Sequence, residues 1–173
     1  MATPVYGVDL QCYVEKETTF DTGFKFTLGG LSVLDVQIEP ELEYHKSKEH
    51  VGSATLQNEI EGKRGGKWTV KCYAMPRTAG TAPDEAPLLE AANGAAVSGS
   101  TFNLGSTLTS LQIARLAGDG LYEQANGCWV EQHVIEVKSN DELFHTFSGG
   151  FASYSCIVGD PTTKTKASNT VVD

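Results

Sequence analysis

The chain has 173 residues, 40% of them apolar and 20% charged, and sets 13 Lys and Arg against 22 Asp and Glu for a net charge of -9. That length fits one domain of the usual ~100–200 residues with a core of its own, the composition excludes a disordered or fibrous chain, and an acidic surface that repels phosphate argues against sequence-specific nucleic-acid binding. No stretch approaches the ~18 consecutive apolar residues of a membrane span, and the amino terminus MATPVYGVDLQC lacks a basic region followed by an apolar run, so neither a membrane partner nor export is expected.

Most of the chain reads with period two, the alternation of a half-buried strand. Candidate strands 5–14 and 23–28 come first. In 33–39, Val33, Asp35, Gln37 and Glu39 fall on one face, and Leu34, Val36 and Ile38 on the other. Residues 40–52, PELEYHKSKEHVG, are highly charged and read as the tip of a long hairpin. The returning strand, 53–61, opposes Ser53, Thr55, Gln57, Glu59 and Glu61 to Ala54, Leu56, Asn58 and Ile60. The glycine-rich Gly62-Lys63-Arg64-Gly65-Gly66-Lys67 then reads as a hairpin or β-bulge turn with a small basic patch, ahead of a strand at 67–74.

One helix stands out. Pro83 and Asp84 open it, Pro87 is tolerated in its first turn, Leu88, Leu89 and Ala92 form an apolar stripe, and Asn93-Gly94 stops it. Further strands are expected at 108–116, 128–138, 143–148 and 151–158. The segment 160–173, DPTTKTKASNTVVD, is polar and reads as a tail beyond a single domain spanning 1–159. The fold expected is mainly β, an antiparallel sandwich or barrel with one short flanking helix and a long hairpin loop.

Signs of catalysis are weak. There is no GxSxG elbow, and the glycine-rich run fails as a phosphate loop because Glu61 stands where the first Gly is needed and Trp68 where a Ser or Thr should follow Lys67. His45 and His50, with Glu41, Glu43 and Glu49 nearby, read as a solvated loop rather than a metal site. His133 and His145 read as hydrogen-bonded or surface imidazoles within strands, and Asp141-Glu142 as a turn. The four cysteines, Cys12, Cys72, Cys128 and Cys156, form no CxxC pair and are expected as buried free thiols in a reducing compartment, with disulfides the alternative. No cofactor or metal is called for.

The pieces in order, SVLDVQIEP, a charged loop, IEGKRGGKWTVKCY, APDEAPLLEAANG and NGCWVEQHVIEVKSNDELFHTFSGGFASY, resemble the tail tube proteins (major tail proteins) of siphophages over roughly residues 30–158. The order carries the likeness rather than any single motif. The resemblance implies an antiparallel β-sandwich flanked by a helix, arranged as hexameric rings stacked into a hollow tube that conducts the genome. It implies no catalytic residue and no cofactor. Implied partners are copies of the chain, tape measure, terminator and distal tail proteins at the tube ends, and genomic DNA passing without tight binding. The implied location is the virion tail, after assembly in the host cytoplasm.

At the level of regions, the resemblance makes the hairpin loop with Glu41, Glu43, His45, Lys46, Lys48, Glu49 and His50 a contact to a neighbouring ring. Lys63, Arg64 and Lys67 become candidates for contact with an acidic neighbouring subunit. The polar strand faces, Asp35, Gln37 and Glu39 with Thr55, Gln57, Glu59 and Glu61, are candidates for the channel lining, where carboxylates would keep contacts with DNA weak; the alternative is a solvated outer surface. Two competing readings are another tail component of similar fold (a terminator, tail-completion or distal tail protein) and a small β-barrel that binds a ligand or acts as an enzyme.

Overall fold

In the computed structural model, the described residues are 11–23, 26–27, 30–46, 59–74, 82–98, 101–118, 120–138 and 142–159, with backbone alone for 42–46, 59–64 and 118. Along the chain come β1 (Cys12–Lys16), β2 (Val33–Lys46), β3 (Glu59–Tyr73), α1 (Ala86–Asn93), β4 (Leu111–Gly118), β5 (Leu121–Val137), β6 (Leu143–Phe151) and β7 (Ser153–Val158). All pairings are antiparallel, in the order β1-β4-β5-β6-β3-β2, with β7 also on β5. The mainly β fold expected from the alternation is observed.

The long strand β5 divides the sheet into two halves. Its first part, Leu121 to Cys128, lies between β4 and β7, whereas Trp129 to Val137 pairs with β6. The sheet curls so that both halves contribute to one core: Cys12, Val14, Leu111, Ile113, Ala125 and Cys128 from one, and Val36, Ile38, Trp68, Val70, Phe147 and Phe151 from the other. Leu88 and Leu89 of α1 join that core. Each Val, Leu, Ile or Phe among them contributes about 1.5–3 kcal/mol when withdrawn from water.

The helix keeps the expected stop: Gly94 at φ 69° donates its N–H to the Glu90 carbonyl at 2.9 Å. A left-handed residue here favours glycine. Its start differs, because the helix begins at Ala86 with Glu85 rather than Asp84 at the N-cap and without a side-chain cap. Lys16 of β1 forms an ion pair with Glu90 and ties the helix to the sheet.

Several expectations need correction. Residues 40–46 are not loop, because β2 runs through to Lys46 and pairs with Glu59 to Gly66. The tip 47–58 lies outside the described residues. Gly62 to Lys67 is not a turn either: β3 passes straight through it, with an irregularity where Leu42 and Tyr44 oppose Arg64 and Glu61, so the bulge is present but the turn is not. A second irregularity, between Val33 and Asp35, turns Leu34 outward to 40% exposure and lets Val33 pack on the core, the reverse of simple alternation. Cys156 is exposed, while Cys12, Cys72 and Cys128 are buried thiols. Of the earliest strands, 5–10 lies outside the described residues, and within 23–28 Phe26 makes a single bridge.

Phe26 covers the far side of the first half-sheet, packing with Tyr13, Ala114 and Tyr122. The adjoining turn is fixed by Glu17, whose carboxylate accepts the Gly127 N–H at 2.8 Å and the Asp21 N–H at 3.2 Å. At the rim, Arg115 joins the two halves: it pairs with Glu123 and donates from Nη1 to the Val36 carbonyl at 2.9 Å.

Candidate functional site: a polar sheet face with open edges

The exposed face of β2 carries Asp35, Gln37 and Glu39, as alternation requires, while Val36 and Ile38 are buried. Their cross-strand partners on β3 are Lys71, Thr69 and Lys67, followed on β6 by Thr146, Ser148 and Gly150. The acidic row therefore lies beside a basic row. Gln37 donates to Asp35 at 3.0 Å, and Lys71 reaches past β6 to Glu136 on β5 at 3.0 Å. Lys67 is 4.0 Å from Glu41. These pairs are well exposed, so each contributes at most about 1 kcal/mol. What they set is a surface of interleaved signs rather than an acidic wall.

Of the other predicted residues, Glu59 and Glu61 lie on β3, where their backbones pair with Lys46 and Tyr44. Glu43, His45 and Lys46 lie on β2, and Lys63 and Arg64 on β3; the side chains of these seven residues are outside the description. Thr55, Gln57, Lys48, Glu49 and His50 fall wholly outside it. The structure thus brings Asp35, Gln37, Glu39, Glu41 and Lys67 together on one face.

Two edges of this half-sheet have no strand beside them among the described residues: β2, and β5 from Trp129 to Val137. Such edges are templates for pairing with another chain. Pro40, which has no N–H to give to a ladder, fits an edge strand.

Glycines set the geometry at the junction of the halves. A Cβ on Gly149 would stand 1.9 Å from the Trp129 carbonyl oxygen, and one on Gly150 2.3 Å from the Trp129 ring. Across β3 and β6 the glycines are offset rather than opposed, Gly66 pairing with Phe151, Gly150 with Lys67 and Gly149 with Trp68. The Trp129 ring is half-exposed there and forms the shared wall of two hollows. The smaller, of about 220 Å³, is rimmed by Glu41, Lys67 and Glu131. The larger, of about 720 Å³, is lined by Phe20, Ala91, Leu108 and Val130.

On the core side of β5 and β6, His133 Nε2 lies 2.8 Å from His145 Nδ1, and the His133 ring stacks on Phe147 at 4.3 Å. Burial pushes both imidazoles below their ordinary pKa, and the neighbouring ring adds to this for His133. Burial pushes the Cys12 and Cys72 thiols up to about 12, the opposite of an activated nucleophile. Among the described residues no three His, Cys, Asp or Glu side chains gather as a metal would require, and no helix is long and apolar enough to cross a membrane.

Sequence reasoning missed the segment 101–110. It was expected to enter a strand at 108, yet β4 begins at Leu111, and Leu104 and Leu108 are 89% and 98% exposed. The available signal was composition: isolated leucines in a run of Gly, Ser, Thr and Asn cannot build a core.

No family model matches the chain, and no curated protein matches it. Among solved structures, it is similar to a chain in the cryo-EM structure of the anti-feeding prophage baseplate, with TM-score 0.53 and 8% identity over 91% of this chain and 98% of that one. It is also similar to a chain in the virion of the native gene transfer agent particle, with TM-score 0.50 and 13% identity over 90% of this chain and 100% of that one. What is shared at such identities is the fold.

Proposed function

We propose that this chain is a structural subunit of a phage-type tail, assembling with copies of itself into stacked rings, six subunits to a ring, that form the tube through which DNA is delivered. The observation that carries this reading is a fold shared along nearly the whole chain with components of a baseplate and of a gene transfer agent virion. Two edges of one half-sheet, unpaired among the described residues, support it. If β2 of one copy pairs with the outer half of β5 in the next, the contact is head-to-tail, and a ring is the arrangement that leaves neither of these two edges open. In this reading the chain is not an enzyme. Its partners are further copies, the tape measure, terminator and distal tail proteins at the tube ends, and DNA in transit; its place is the virion tail, after assembly in the host cytoplasm.

A second reading, a tail component other than the tube, is favoured by the likeness to a baseplate chain. Negative-stain electron microscopy of the purified chain, with sedimentation across a concentration series, separates the two. Open-ended tubes are expected. Single closed rings would favour the second reading, and a strict monomer at high concentration and low salt would overturn both.

A further inference from the structure

The outer half of β5 is held to the sheet on one side only. From Trp129 to Val137 it pairs with β6, and its other edge has no strand beside it among the described residues. Of its side chains on the core face, Val130 packs on the core and His133 is part-buried, whereas Ile135 is 56% and Val137 73% exposed. Little apolar burial fastens the strand beyond His133, and segments so weakly held are the first to open.

His133 joins β5 to β6 by a contact that limits how many protons two rings can hold. Its Nε2 lies 2.8 Å from Nδ1 of the buried His145, and its ring stacks on the fully buried Phe147. A hydrogen bond between two imidazoles needs one nitrogen with its proton and one without. In either tautomer the first added proton goes to the remote nitrogen of the donor ring and leaves the bond in place. The second has only the accepting nitrogen left, so it ends the bond and sets two cations in rings stacked 5.0 Å apart. The titratable groups on the elements packed here give them no counter-charge. Cys72 on β3, opposite His145, is a thiol pushed up by burial and then by Glu85, and Arg115 at the rim is paired with Glu123. Glu136, Lys71 and Lys138 gather on the other face of the sheet, around Phe144.

We propose that the His133–His145 pair is a pH-sensitive latch on this open-edged strand: it stays closed through the first added proton and is released by the second, which lets β5 from Trp129 to Val137 part from β6. The strand that yields is β5, because β6 is held by β3 on its other side. Burial already disfavours the charged form of both rings, so the closed latch belongs to the upper side of the imidazole range and is lost as pH falls. This inference goes beyond the assembly reading and stands without it. Where that reading holds, acid withdraws one of the two edges that a neighbouring copy would pair with.

Hydrogen exchange read by mass spectrometry on the dilute, monomeric full chain between pH 7.5 and 5.5 tests this without calling on assembly. After correction for intrinsic exchange, protection of the β5 amides in 129–137 should fall by a factor on the order of ten, with about a hundred the ceiling for two imidazoles of ordinary pKa near 6.5. Residues 121–128, between β4 and β7, should keep theirs. A Gln side chain can donate to neutral His145 or, by turning its amide, accept from the protonated ring, so His133→Gln should remove most of the loss. Glu136→Gln breaks the pair with Lys71 instead and should leave the loss in place. Equal losses in 121–128 would mean global unfolding and overturn the latch. So would protection in 129–137 that does not change with pH, or a loss that Glu136→Gln abolishes and His133→Gln retains. If His133→Gln does not fold, imidazole C–H resonances of the unaltered chain decide. Two separate titration steps, with the 129–137 amides released at the second, support the latch, and two rings titrating together at the ordinary value overturn it.

Discussion

The Trp68 indole donates its N–H to the Gly150 carbonyl at 3.0 Å inside the core, while the Trp129 ring lies against the Cα of the same glycine from the other side. Two tryptophans on different strands thus share one glycine, and a side chain added there would meet the Trp129 ring. The buried indole N–H, which would cost about 1–3 kcal/mol if left without an acceptor, is satisfied by backbone alone.

Substitutions at the two adjacent glycines should therefore differ. Gly149→Ala sets a methyl against a carbonyl oxygen that cannot move without the strand, and it should cost about 3 kcal/mol or more. Gly150→Ala meets a half-exposed ring able to turn aside and should cost about 1–2 kcal/mol. Urea denaturation midpoints at constant slope check the order; equal losses would mean that the strand yields at both sites.

The imidazole pair makes stability depend on pH. Both groups have folded pKa values below the ordinary value of about 6.5, so the unfolded chain binds more protons as pH falls through that value, and stability present above it is lost on acidification. Melting temperature should fall between pH 7 and 5. His133→Gln with His145→Gln should flatten that part of the curve; an unchanged slope would assign the dependence to the carboxylates.

Thiol chemistry should separate one cysteine from three. Cys156 is exposed, while Cys12 and Cys72, pushed up to about 12, and Cys128, pushed well above its ordinary value by burial, hold their protons. A colorimetric thiol reagent at pH 8 should titrate one group per native chain at once and all four after denaturation. Cys156→Ser should abolish the fast phase.

On the proposed tube reading, the orientation of the polar face can be tested. Asp35→Lys with Glu39→Lys places like charges opposite Lys71 and Lys67, which costs about 0.2–1 kcal/mol per pair and leaves the fold intact. If this face lines the channel, assembled tubes should gain salt-sensitive DNA affinity and DNA ejection should slow. Unchanged DNA binding and ejection would put the face on the outside.

Alternation made Val36 and Ile38 legible as core, and Asn93-Gly94 ended the helix where it does end. What escaped was settled by pairing rather than by local pattern. Leu34 points outward because one extra residue in β2 resets the phase of the strand, and period two cannot reveal a bulge. Gly62 to Lys67 looks like a turn in isolation, since glycine and charge are turn signals. It is held straight by β2 on one side and, from Gly66 on, by β6 on the other, and Gly66 is required because Phe151 and the Glu39 carbonyl occupy the space a side chain would need. The polar face was legible as a face, but its basic row belongs to the neighbouring strand.

The register has a consequence for the order in which the molecule forms. Cys12 pairs with Arg115, and Trp68 finds its acceptor 82 residues later in the chain. Contacts so remote are slow to nucleate, because the loop must close before any contact rewards it. The half-sheet bounded by β2 and the outer part of β5 is completed only when β6 has joined β3, so a prematurely terminated chain lacks an interior strand. A chain broken before β6 therefore lacks the strand that joins β3 to β5, and the shared core cannot be completed.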